Sequence, residues 1–135
     1  MRQGAGIVAF CVMLAFVVAS CATPPAFSGN ELFATSCASC HGRYGEGDGP
    51  AVVDVAASIP DLRYLAARNG GVFPRARVEE IIDGRAIVKA HGDRQMPIWG
   101  DVFTELDTSN GSAQARTTAK IRALVDYLEA NQIRK

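Results

Sequence analysis

The chain has 135 residues, with 14 basic and 14 acidic side chains and a formal net charge of zero. That balance excludes the strong basic excess of a nucleic-acid binder, and the length excludes two domains of ordinary size. An apolar fraction of 48% overstates the core, because the N-terminal stretch holds many of those positions; roughly 115 residues remain beyond it, enough for a single core.

At the N-terminus, Arg2 precedes an apolar run from Ile7 to Ala19. The pair matches the basic and hydrophobic regions of an export signal, and the run is short for a membrane span. Val18-Ala19-Ser20-Cys21 resembles a bacterial lipoprotein box, in which cleavage before Cys21 frees its thiol and amine for acylation. Two alternatives stay open: ordinary cleavage near Ser20-Cys21-Ala22, which leaves a soluble product, and an uncleaved anchor. The lipoprotein reading makes 1–20 a signal peptide, 21–28 a tether stiffened by Thr23-Pro24-Pro25, and 29–135 the functional domain. It places the protein in a bacterial periplasm, held to a membrane by a lipid on Cys21. Loss of Arg2 with the signal leaves one more acid than base.

Next, Gly29 to Ser36 reads as a short helix leading into Cys37-Ala38-Ser39-Cys40-His41. Two thiols spaced by two residues and followed directly by histidine form the c-type haem attachment signature. The spacing suits the chemistry. The thiols add to the two vinyl groups on one edge of the porphyrin, and the same helical turn carries His41 beneath the iron as the proximal ligand. A zinc site and a redox dithiol are the competing readings. A structural zinc site takes four Cys or His ligands, whereas Cys11 and Cys21 belong to the targeting segment and only His91 remains. A thioredoxin-like dithiol belongs to a βαβ pattern, and the approach here is helical.

The segment from Gly42 to Pro50 has four glycines in nine residues, a composition against regular structure that lets backbone approach a porphyrin closely. Asp61 to Arg68 follows Pro60 and begins with an acidic residue, as helix starts often do. Arg77 to Asp83 is a second helix, ended by Gly84 as its C-cap. Lys89-Ala90-His91-Gly92-Asp93 reads as an exposed loop. Met96-Pro97 sits in an extended stretch, Asp107 to Ser112 is a loop, and Ala115 to Asn131 is the clearest helix. Its Ile121, Leu124, Val125 and Leu128 fall at i, i+3, i+4 and i+7 on one apolar face. No strand run or internal repeat appears.

From Phe27 to the C-terminus the chain resembles a single-haem class I cytochrome c. Gly29-Asn30-Glu31-Leu32-Phe33 is similar to that family's N-terminal helix, Cys37 to His41 is its haem motif, and Gly45 to Pro50 its glycine-rich loop. Met96-Pro97 is similar to its distal ligand motif, and the last helix, with Tyr127, to the helix that packs across the first. The resemblance implies an all-α fold of short helices around one haem c, covalently held through Cys37 and Cys40. It also implies that the carbonyl of Pro50 accepts the other N–H of His41, a contact that would fix the ring.

Counting supports the sixth ligand that the resemblance implies. Met1 and Met13 leave with the signal, so Met96 is the one thioether of the mature chain, 55 residues beyond His41. The metal ligands are then His41 and Met96, with His91 as the rival for the second place. Met/His ligation raises the reduction potential, so a relatively positive potential is expected. Trp99 is expected against the haem, either as core or with its indole N–H on a propionate. Arg85 and Arg94 read as solvated charges near enough in sequence to be propionate partners.

With both axial positions filled, the iron has no site for a substrate. The expected function is single-electron transfer between redox proteins of the cell envelope, with no catalytic residues, no small-molecule substrate and no nucleic acid. The alternatives are a fixed subunit through which electrons pass into a larger dehydrogenase or oxidase complex, or a haem sensor or peroxidase-like protein if the distal site is open.

Overall fold

Residues 27–54, 58–86, 96–109 and 111–133 are described by the structure, a computed structural model. The signal segment, Cys21, the proline tether, His91 and Arg94 lie outside them. Among the described residues every regular element is helical and there is no strand, in agreement with the expected all-α class. No helix among them is long and apolar enough to cross a membrane.

Helix α1 spans Gly29–Ser36 and begins at Ser28, whose hydroxyl accepts the Glu31 N–H at 3.3 Å. This is a side-chain N-cap that satisfies one of the free amides of the first turn. Cys37 leaves helical geometry (φ −120°, ψ −34°), and the chain resumes as the single turn α2, Ala38–His41. A 3₁₀ turn follows at Pro50–Asp54. The stretch expected as one helix over Asp61–Arg68 is a 3₁₀ turn, Leu62–Tyr64, running into α3, Leu65–Arg68. Asp61 caps its start, accepting the Arg63 N–H at 2.9 Å.

Helix α4, Arg75–Asp83, ends on Gly84 in the left-handed region (φ 88°), the C-cap expected from sequence. Helix α5, Trp99–Glu105, was not assigned from sequence; Phe103 is its one buried large apolar side chain, too little to mark a stripe. Helix α6, Ala113–Ala130, starts at Ser112, which accepts the Ala115 N–H at 3.2 Å.

Helix α6 is the element against which α1, α4 and α5 all pack. Its stripe of Ile121, Leu124, Val125 and Leu128 is buried, and the stripe extends one turn back to Thr117, which is fully buried. The hydroxyls of Thr117 and of Thr104 on α5 lie 3.0 Å apart. Since Thr104 donates its proton to the Gly100 carbonyl (2.7 Å), Thr117 must donate to Thr104. Helices α1 and α6 approach so closely that a Cβ on Gly29 would lie 2.1 Å from the Ala123 carbonyl oxygen. One turn on, the rings of Phe33 and Tyr127 meet at a tilt of 39°, their centroids 5.1 Å apart. Arg75 ties α4 to α6 through Asp126 at 2.6 Å and Glu129 at 2.5 Å. Each of the buried large apolar side chains stabilises the fold by about 1.5–3 kcal/mol.

Candidate haem site

The turn that carries the motif is placed by backbone hydrogen bonds. Cys37 N–H donates to Phe33 O at 2.9 Å and so ends α1, and His41 N–H donates to Cys37 O at 2.9 Å and so closes α2. The glycine-rich loop then folds back onto that turn: Gly47 N–H donates to the His41 carbonyl at 2.8 Å and Gly49 N–H to the Cys40 carbonyl at 3.3 Å. The approach at Gly49 is too close for a side chain, since a Cβ there would lie 2.3 Å from the Ser39 carbonyl oxygen. The loop is held from its other side by Leu62 N–H on Gly45 O at 2.7 Å. Arg63 adds a bridge, with one nitrogen 3.2 Å from Glu46 and another 2.7 Å from Asp61.

Cys37 and His41 face a cleft that opens to solvent, with about 700 Å³ of empty space when its open mouth is counted. Phe33 of α1 adds to the same wall, and Pro60, Leu62 and Leu65 come from the segment after the glycine loop. Helix α4 contributes Val78, Ile81 and Ile82, and α6 contributes Leu124 and Leu128. Met96 completes the lining, half-buried, with the preceding residues of its loop outside the described set. Apart from one thiol, one imidazole and one thioether, every lining side chain is hydrocarbon. This donor set matches a large apolar plate with an iron at its centre.

The other sequence-derived site residues among the described ones, Cys40, Pro50, Trp99 and Arg85, are not part of the lining of this cleft. Cys40 stands half-buried on the same turn as His41. Pro50 opens the 3₁₀ turn that packs on α2 and is itself exposed. Trp99 begins α5 and is partly buried against the core, its ring 5.3 Å from that of Phe103. Arg85 is exposed and paired with Asp83. The wall from Pro60 to Leu65 was not recognised as part of the site: its leucines fall in two short turns with no sustained period.

The two competing readings of the motif can be weighed on this geometry. A redox dithiol needs a thiol with a depressed pKa, but burial, and secondarily the charge of Cys40, pushes the Cys37 thiol up to about 12. An apolar site that disfavours a thiolate tolerates an uncharged thioether well. For zinc, no group of three or more His, Cys, Asp or Glu side chains gathers among the described residues.

No curated protein and no solved structure matches the chain. A family model described as Cytochrome c matches residues 26–132. That span begins just before α1, ends just after α6 and contains the whole cleft. With the Cys37-x-x-Cys40-His41 turn set at its mouth, the chain belongs to the cytochrome c family, a family of haem-based electron transfer, and carries haem c covalently through Cys37 and Cys40.

Proposed function

We propose that this protein is a one-electron carrier with His41 and Met96 as its axial ligands, working in a bacterial periplasm at a membrane to which a lipid on Cys21 ties it. The observation that carries the reading is that His41 and Met96, far apart in the chain, line one apolar cleft. The haem supplies a one-electron ferric/ferrous couple when bound. The chain's own residues do the rest. Cys37 and Cys40 fix the plate covalently and His41 offers an imidazole from a hydrogen-bonded turn; with the haem in place, the Pro50 carbonyl would be the acceptor for the imidazole's second N–H and would fix its orientation. Met96 offers a soft thioether that favours the ferrous state and raises the potential. The leucine and isoleucine lining keeps water away, so little solvent must reorganise when the charge changes. Trp99, at the start of α5 and packed on Phe103, stiffens the limb that follows the thioether.

The partners are redox proteins of the same compartment. A subunit role in a larger dehydrogenase or oxidase complex uses the same chemistry with a fixed partner.

The deciding experiment is the oxidised optical spectrum of haem-matured protein, wild type against Met96→Ala. The weak sulfur-to-iron charge-transfer band is expected in the wild type and not in the variant; its absence from both would hand the sixth position to His91 or leave it open, and carbon monoxide binding to the reduced protein separates those two cases. For the anchor, Cys21→Ser is expected to move the haem protein from the membrane to the soluble fraction, and an unchanged distribution would exclude the lipid.

A further inference from the structure

Just past the end of α6, Gln132 is half-buried, and its amide reaches back across the fold. Its Oε1 accepts the Ala66 N–H at 2.8 Å, while Nε2 donates to the Leu62 carbonyl at 2.9 Å and to the Leu128 carbonyl at 2.8 Å. Beside it, Ile133 N–H donates to the Arg63 carbonyl at 2.9 Å. Both amide protons and the amide oxygen are therefore engaged with backbone groups. Only glutamine provides this pattern, because a carboxylate would set oxygen against two carbonyl oxygens.

The groups it holds are those of the haem cleft. Leu62 and Leu128 line the cleft with their side chains, and Ala66 follows Leu65, which also lines it. The segment needs such support, because it consists of a three-residue 3₁₀ turn and a four-residue helical turn, and pieces this short are marginal alone. Besides the backbone bonds of Leu62 N–H to Gly45 O and Ile133 N–H to Arg63 O, it is tied by Arg63 to Asp61 and Glu46, ion pairs that are partly exposed, and such pairs contribute little.

We propose that Gln132 is a positioning residue for the haem, clamping the Leu62–Leu65 wall to the end of α6 so that water is kept from that side of the porphyrin and the reduction potential stays high. The inference depends on the cleft holding the haem and not on which atom takes the sixth position. The apolar shell around an iron sets the local dielectric and with it the potential. Water admitted along a loosened wall solvates the more highly charged ferric state better and lowers the potential.

The test compares haem-loaded wild type with Gln132→Met, which keeps the length of the side chain and removes all three hydrogen bonds. Ser112→Ala, which removes the cap at the opposite end of the same helix, serves as the control. Both variants are expected to melt at lower temperature, and only Gln132→Met to shift the midpoint potential to more negative values. An unchanged potential in Gln132→Met, or an equal shift in Ser112→Ala, would overturn the proposal. A measurement that needs no variant stands beside it. The Ala66 amide of the wild-type holoprotein is expected to exchange with deuterium as slowly as amides inside α6, and exchange at the rate of an exposed amide would likewise overturn it.

Discussion

In one part of the cleft, Cys37, Cys40 and His41 stand within five residues, on a turn whose backbone is closed by its neighbours and by the glycine loop that immediately follows. In the rest of the lining, Pro60 to Leu65, Ile81, Met96 and Leu128 come from separate stretches, delivered by a capped turn under an amide clamp, by helices α4 and α6, and by the bend at Met96. The first region is local and covalent, whereas the second is assembled by packing. The lesson is that attachment of the haem and its electrostatic surroundings are separately adjustable. A change in the first region decides whether the cofactor is held, and a change in the second decides how dry its environment is.

The severest way to break this contrast is to remove both thiols. Cys37→Ala with Cys40→Ala is expected to eliminate covalently bound haem, read by haem staining of denaturing gels, and to lower the melting temperature because the apolar cleft loses the plate it packs against. Phe33→Ala strikes where the regions meet, since this ring lines the cleft and packs on Tyr127 while only 1% exposed. The expected loss is about 3–5 kcal/mol by denaturant unfolding; a value below about 1 kcal/mol would mean that the site collapses around the gap. Gly29→Ala tests the crossing of α1 and α6. With the Ala123 carbonyl in the way, about 1–3 kcal/mol should be lost, with covalent haem retained; loss of attachment instead would show that the local region depends on the assembled one.

The smallest effect is confined to acid. Asp107, with a side chain only 3% exposed, accepts from Arg116 at 2.6 and 3.0 Å and from the Ser109 hydroxyl and amide, closing the loop between α5 and α6. The Arg116 guanidinium, followed by the Ser109 hydroxyl, holds its carboxyl well below the usual carboxylate range. A depressed folded-state pKa stabilises the protein fully above the unfolded value of about 4 and loses that contribution as pH falls further. Thermal melts of Asp107→Asn between pH 2 and 7 should therefore show a shallower acid decline than wild type, at unchanged potential. A parallel decline in both proteins would remove the pair from the account.

Helix α6 was legible because its apolar residues repeat over two turns, and Gly84 marked the end of α4 because a left-handed cap favours glycine. Helix α5 was not legible: seven residues with one buried large apolar side chain give no period, and the helix exists because Phe103 and Thr104 dock on α6. The Asp61–Arg68 region was read as one helix beginning with an acidic residue, whereas Asp61 caps a 3₁₀ turn that runs into a single helical turn. Its tight first turn is set by contacts with Gly45 and Gln132, which lie far from it in the chain. Gln132 itself gave no signal, since a single polar residue after a helix is ordinary until its three partners are seen.

The haem and its two thiol anchors follow from sequence alone, because a covalent attachment chemistry demands fixed residue types at fixed spacing within one turn. The tertiary structure decided which leucines and isoleucines wall the cleft, that Met96 shares it with His41, and that the amide of Gln132 fastens one wall to another. These depend on contacts between residues tens of positions apart, and such contacts are settled only when the whole chain has packed.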